Sequence, residues 1–255
     1  MRYNPKRHWK GFIIPLGCFL LIACQKQKFE VIYKSSQPDV VGTPHWGVPT
    51  DRGKTDSHSS SSPSRNHLPE SVLIEVPFAS QAPLKNWDAL HEEACEEASL
   101  ILVHHFLEGT SIVPERMEIE IQNLVSWEKG HGYKEDVTVE ELGKIAQAYY
   151  GHLWEIRTDV TEQSLQTLIA KGQPVIIPAA GRDLANPYFS GEGPWYHMLV
   201  LKGYDQTGFI TNDVGTKRGE NYHYDYSTLI DAIHDWNGVK EEIRGGRRVV
   251  LVVKK

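Results

Sequence analysis

Cys95, in His91-Glu92-Glu93-Ala94-Cys95-Glu96-Glu97-Ala98-Ser99, is the last of three cysteines; the other two, Cys18 and Cys24, lie in the apolar N-terminal run. Far downstream, two strand-like runs carry His197, in Trp195-Tyr196-His197-Met198-Leu199-Val200, and Asp213, in Ile210-Thr211-Asn212-Asp213. A thiol attacks a carbonyl as the thiolate, so it needs a base to take its proton and an acid to orient that base. A cysteine, a later histidine and a later acid, distant in sequence on elements that can meet in a fold, supply those three residue types.

Each residue makes a geometric demand. A helix N-terminus lowers a thiol pKa, and Cys95 stands where a helical pattern opens. Glu92, Glu93, Glu96 and Glu97 oppose this by disfavouring a further negative charge, so their side chains must point away or be paired. A helix starting at Asp88 would put Cys95 in its second turn and remove much of the dipole's help. For the other pair, a hairpin turn at Gly203–Gly208 with Asp205, Gln206 and Thr207 at its tip sets Leu199 opposite Asp213. His197 then lies diagonally across from Asp213 on one sheet face, with Cα atoms roughly 7–8 Å apart. A slip of one residue would place the two on opposite faces.

The surrounding pattern supplies elements for these positions. Val72-Leu73-Ile74-Glu75-Val76 predicts a strand ended by Pro77, and a loop through Gln81 and Trp87 leads to the cysteine. Ala94, Ala98, Ile101, Leu102 and His105 recur at helical spacing to Gly109, and the added apolar residues predict a mostly buried helix. A second helix is expected over Glu115–Glu128. Thr138-Val139-Glu140-Glu141 is a capping-box pattern opening a third, which ends at Gly151. Strands are then expected at Leu153–Arg157, Val175–Pro178, Tyr196–Leu201, Gly208–Asn212 and Val249–Val253, with short helices at Glu162–Ala170 and Tyr226–Trp236. Helices gather early and strands late, an α+β order rather than βα alternation.

At the N-terminus, Arg2, Lys6, Arg7 and Lys10 precede the uncharged run Gly11–Ala23, the layout of a signal peptide and too short for a spanning helix. Its end, Leu21-Ile22-Ala23-Cys24, resembles the lipobox of bacterial lipoproteins, which implies a signal peptide at residues 1–23 and lipid on the sulfur of Cys24. Residues 24–70, rich in Ser, Pro, His, Asp and Thr, hold too few apolar residues for a core and are expected to form a lipidated, flexible linker. The folded domain is expected at residues 71–255, with one cysteine and so no intradomain disulfide. The mature chain would keep 23 of the 27 basic residues and all 33 acids, a formal charge of −10. That surface argues against nucleic acid or anionic lipid as principal partners. The expected location is an exported, membrane-anchored one, at the cell surface or in the periplasm.

Taken in order, Val76-Pro77-Phe78-Ala79-Ser80-Gln81, the Cys95 segment, His197-Met198-Leu199-Val200-Leu201-Lys202-Gly203-Tyr204-Asp205 and Ile210-Thr211-Asn212-Asp213-Val214-Gly215-Thr216 resemble the bacterial papain-like cysteine peptidases related to bacteriocin (double-glycine) leader-processing peptidases. The resemblance covers about residues 72 to 253. It implies a papain-like fold, with the nucleophile helix packed on a C-terminal antiparallel sheet. It further implies Cys95 as nucleophile, His197 as general base and acid, Asp213 as the orienting acid and Gln81 as an oxyanion-hole donor. Two departures stand out: Glu96 follows the cysteine where the family commonly has glycine, and the interval from Gln81 to Cys95 is long.

The expected activity is hydrolysis of peptide or related amide bonds through a thioester, with a peptide or protein substrate and neither cofactor nor metal. A zinc site has little sequence support: His91-Glu92-Glu93 lacks a second zincin histidine, and His104 and His105 are adjacent and face different sides of a helix. The competing class is a catalytically inert surface lipoprotein that uses the same fold for binding or adhesion.

Overall fold

The computed structural model describes residues 68–255, and the expected signal peptide, Cys24 and nearly all of the linker lie outside them. Among the described residues, no helix is long and apolar enough to cross a membrane. The chain opens with β1 (Val72–Leu73) and four helices: α1 (Ala89–Glu92), α2 (Cys95–Glu108), α3 (Pro114–Gly130) and α4 (Val139–Tyr150). There follow β2 (Leu153–Arg157), α5 (Glu162–Ala170), β3 (Val175–Ala180), β4 (Tyr196–Tyr204), β5 (Gly208–Asn212), β6 (Tyr222–Asp225), α6 (Tyr226–Ala232) and β7 (Val250–Lys254). The α+β order is as the sequence predicts. Every strand pairing is antiparallel, in the order β2-β7-β3-β4-β5-β6, with β1 also on β4.

The helices form where their caps and apolar faces dictate. Thr138 caps α4 in a capping box with Glu141, and Gly109 and Gly151 end α2 and α4 in the left-handed conformation that glycine adopts most readily. Ala98 and Leu100 to Val103 are fully buried, so α2 runs through the core and packs on β4. All nine residues of β4 are buried, and so are all six of β3. A strand covered on both faces reads as a continuous apolar run, and of these two it is β4 that α2 packs against.

Some boundaries differ from expectation. The first strand ends at Leu73 because the ladder gives way to a local turn: Ile74 N still donates to the Lys202 carbonyl, but Val76 N turns back to the carbonyl of Ile74. The last helix stops at Ala232. Strand β6, which follows Asn221 in a left-handed conformation, was not visible in the apolar pattern because Tyr-His-Tyr-Asp carries no alternation of aliphatic residues.

Candidate active site

The backbone breaks just before the cysteine. Asp88 caps α1 by accepting from the N–H groups of Leu90 and His91, and that helix ends after one turn at Glu92. Glu93 and Ala94 leave helical geometry, with ψ of 11° and 27°, and α2 starts afresh at Cys95. Cys95 is therefore the first residue of a 14-residue helix rather than a second-turn residue of a longer one. There the first-turn N–H groups lack intrahelical acceptors and the positive end of the dipole lies.

His197 and Asp213 meet: His197 Nε2 lies 2.8 Å from Asp213 Oδ1, with both side chains buried. The register that brings them together is the expected one, reached by a different route. The hairpin tip is a residue longer than expected, because Tyr204 pairs with Phe209. A bulge between Leu201 and Gly203 absorbs that residue, so Leu201 faces Thr211 and Val200 faces Asn212. Continued by one residue, this pairing sets Leu199 beside Asp213. Without the bulge, His197 and Asp213 would lie on opposite faces. The bulged Lys202 is buried and donates its ammonium to the Val76 carbonyl at 3.2 Å.

Asp213 is held on all sides. Its Oδ1 also accepts from Gly215 N at 3.0 Å, and its Oδ2 accepts from Asn186 Nδ2 at 3.0 Å and from the Tyr224 hydroxyl at 2.5 Å. Burial alone would raise this carboxyl's pKa, but His197 and the hydrogen bonds from Tyr224 and Gly215 outweigh it and hold the group ionised below its ordinary range. The Phe189 ring meets His197 edge-on at 5.2 Å between centroids. A Cβ on Gly215 would sit 2.8 Å from His197 Cε1, so only glycine lets the chain pass this close to the imidazole. With Nε2 engaged by Asp213, His197 Nδ1 has no hydrogen-bond partner among the described residues and is the nitrogen left for proton transfer.

The Cys95 sulfur is held by the backbone one residue after His197 rather than by the imidazole. Trp195 bonds toward β3 through its carbonyl, so by alternation the Met198 N–H points to the other edge of β4, past the end of β5. That N–H donates to Cys95 Sγ at 3.3 Å, one residue after His197. The thiol in turn donates to Glu96 Oε2 at 2.9 Å, and Glu96 Oε1 accepts from Val137 N at 3.3 Å. Burial, the Glu96 carboxyl's charge and its hydrogen bond push the Cys95 thiol pKa up, against a smaller pull down from the Met198 N–H. Burial and the neighbouring Glu97 also raise Glu96's own pKa. Glu96 and Glu97 turn inward, whereas Glu92 and Glu93 are on or near the surface.

Gln81 is buried next to both halves of the site. Its backbone N–H donates to the Val214 carbonyl at 2.9 Å, just after Asp213. Its side-chain amide donates to the carbonyls of His91 and Glu92 at 2.7 and 3.2 Å, just before the cysteine. The long interval from Gln81 to Cys95 thus folds into a loop and the short α1. Asn186, Tyr224 and Phe189 escaped the sequence reading. Asn186 and Phe189 lie in an irregular segment, and Tyr224 lies on the strand that the pattern missed.

The fold thus gathers a Cys at a helix N-terminus, a His–Asp pair and a buried Gln around one end of β4. A family model described as Peptidase_C39 like family matches residues 73–243. The chain belongs to the Peptidase_C39 like family. Its helices and antiparallel sheet are those of an α+β papain-like peptidase fold. Among solved structures, a crystal structure of a Bacillus anthracis chain described as C39-like peptidase is similar at 18% identity and a TM-score of 0.49, covering 73% of this chain and 98% of that one. None of the curated proteins matches. Membership of the Peptidase_C39 like family supports cysteine peptidase-like chemistry at the level of the family.

Proposed function

We propose that this chain is a membrane-tethered, extracytoplasmic cysteine hydrolase that cleaves peptide or related amide bonds through a thioester. The observation that carries the reading is the His197–Asp213 hydrogen bond adjoining the Met198 N–H that holds the Cys95 sulfur. In this mechanism His197 Nδ1 takes the thiol proton and the Cys95 thiolate adds to the carbonyl carbon. The oxyanion is met by the Cys95 backbone N–H and by an N–H that Gln81 transfers from the carbonyls it now serves. His197 then protonates the leaving amine as the carbon–nitrogen bond breaks. Water, deprotonated by His197, hydrolyses the thioester and restores the thiol.

The lipobox-like Leu21-Ile22-Ala23-Cys24 supports lipid attachment at Cys24, and the linker up to about Glu70 supports a domain held away from the membrane surface. The acidic balance favours a peptide or protein substrate over nucleic acid. Incubation with a peptidyl chloromethyl ketone followed by peptide mapping tests the chemistry: a single adduct on Cys95, lost in His197→Ala, is expected. An unmodified Cys95, with the protein folded, would instead favour the binding-module reading. Metabolic labelling with a palmitate analogue tests the tether, with label expected on the native chain and absent from Cys24→Ser.

A further inference from the structure

The far end of the nucleophile helix carries a cluster that the proposed reaction does not use. His104 and Glu108 stand one turn apart in the last turns of α2, and His152 follows Gly151, where α4 ends. His104 Nδ1 and His152 Nε2 are 2.9 Å apart, and a ring nitrogen of each histidine and a Glu108 oxygen all lie within 4.8 Å of one another. We infer that His104, Glu108 and His152 form a binding site for a borderline divalent cation of the zinc type, which ties the end of α2 to the exit of α4.

Several independent features support this. Two imidazoles and one carboxylate, with an open side for water, are a donor set that suits zinc and neighbouring transition metals over calcium or magnesium. The two nitrogens now share a hydrogen bond at 2.9 Å and need open only to about 3.3–3.4 Å to ligate one tetrahedral ion with bonds of about 2.0–2.1 Å. The rings are held in place before any ion arrives: His104 stacks on Tyr150 at 3.9 Å between centroids, and His152 is itself buried and stacks on the same ring. Glu108 is exposed enough for entry, and its present partner, the Lys255 ammonium at 3.2 Å, is a surface group that an ion can replace. His105 takes no part, since its ring is engaged by Thr110 and Glu120. His104 and Glu108 lie about 14–20 Å along the helix from Cys95, too far to join its chemistry, so the site acts as a brace. No local sequence motif announces it, because the third ligand is 48 residues from the first.

Titration of the full chain with Zn2+ tests the inference, read by competition with a chromophoric chelator and by thermal unfolding. One equivalent should bind and raise the unfolding temperature by about 5 °C at a hundredfold excess over Kd. His104→Gln, His152→Gln and Glu108→Gln should each weaken binding by roughly tenfold or more, with far-UV spectra and metal-free unfolding temperatures confirming that the variants fold. Cys95→Ser and the triple linker variant His45→Gln/His58→Gln/His67→Gln should bind as the native chain does. Co2+ should give the intense visible bands of a four-coordinate site without sulfur-to-metal charge transfer. Failure to bind at micromolar Zn2+ would overturn the assignment. So would binding that survives the His104→Gln/His152→Gln double substitution.

Discussion

The carboxyl of Glu96 accepts a hydrogen bond from the thiol of the preceding residue, Cys95, at 2.9 Å, and both side chains are buried at the start of one helix. The carboxyl makes ionisation of the thiol harder, whereas burial and Glu97, not the thiol, raise the carboxyl's own pKa; the same carboxyl also bonds the Val137 N–H. The acidic residue that the sequence marks as a departure from its family thus acts directly on the sulfur.

Removing that charge should wake the thiol. Glu96→Gln keeps the shape and a hydrogen-bonding group but no negative charge, so the Cys95 pKa should fall. Each unit of fall increases the thiolate fraction about tenfold at a pH below the pKa. Alkylation of Cys95 by iodoacetamide at pH 7 should therefore accelerate several-fold over the native rate, as followed by mass spectrometry. An unchanged or slower rate would mean that Glu96 does not restrain the thiol.

Asp213 should matter for orientation rather than for folding alone. Asp213→Asn keeps the size but offers an amide where His197 now meets a carboxylate. It should cut the rate of Cys95 labelling or peptide hydrolysis by roughly tenfold or more, with a larger effect on kcat than on KM. Tyr224→Phe removes one of the four hydrogen bonds to Asp213 and should cost about 1.5–3 kcal/mol of stability, measured by denaturant unfolding. Comparable hydrolysis by Asp213→Asn and the native chain would remove Asp213 from the mechanism.

The close passage at Gly215 gives a steric prediction. Gly215→Ala would set a methyl 2.8 Å from His197 Cε1 and 2.9 Å from Phe189 Cε1, so the imidazole or the phenyl ring must shift. A loss of about 1–3 kcal/mol in stability is expected, together with slower thiol labelling. Native labelling kinetics in this variant would show that the imidazole position is not critical.

Behind the cysteine, Glu97 and Glu128 share a hydrogen bond and line a cavity of about 290 Å³ with Leu90, Lys129 and Tyr133. Burial, then the charge of Glu97, pushes the Glu128 carboxyl up to about 11. A carboxyl with a raised folded pKa binds its proton more tightly in the native state than in the unfolded chain. Its stabilising contribution is complete below the unfolded value near 4.5 and is lost as pH rises from there toward about 11. Glu128→Gln should therefore flatten the decline in stability between pH 5 and 8, by at most about 1.4 kcal/mol per pH unit. Unfolding temperatures of the two proteins across that range check it, and parallel curves would contradict it.

How much of this was legible can be judged residue by residue. The buried helix through Ala98 and Ile101 to its end at Gly109, the capped helix at Thr138 and the late strands followed from apolar period and caps, because burial and backbone satisfaction act locally there. The His197–Asp213 pairing followed from counting a hairpin, although the count was right only because a longer tip and the bulge at Lys202 cancel. The break at Glu93–Ala94 that makes Cys95 a first-turn residue left no mark in the apolar pattern. Asn186 and Tyr224 converge on Asp213 from 27 and 11 residues away, and His152 reaches His104 across 48. Such contacts depend on tertiary packing, which a local pattern does not encode. Glu96 and Glu97 turned inward for the same reason: the helix they open runs through the core.

The central claim is that His197 activates the Cys95 sulfur. The most direct measurement is the second-order rate of Cys95 alkylation from pH 5 to 9 in the native chain and in His197→Ala, with the modified residue identified by peptide mapping. The account predicts a native rate at least tenfold above that of the variant near neutral pH, converging as the thiol ionises unaided at high pH. Superimposable profiles for the two proteins, both folded, would contradict it.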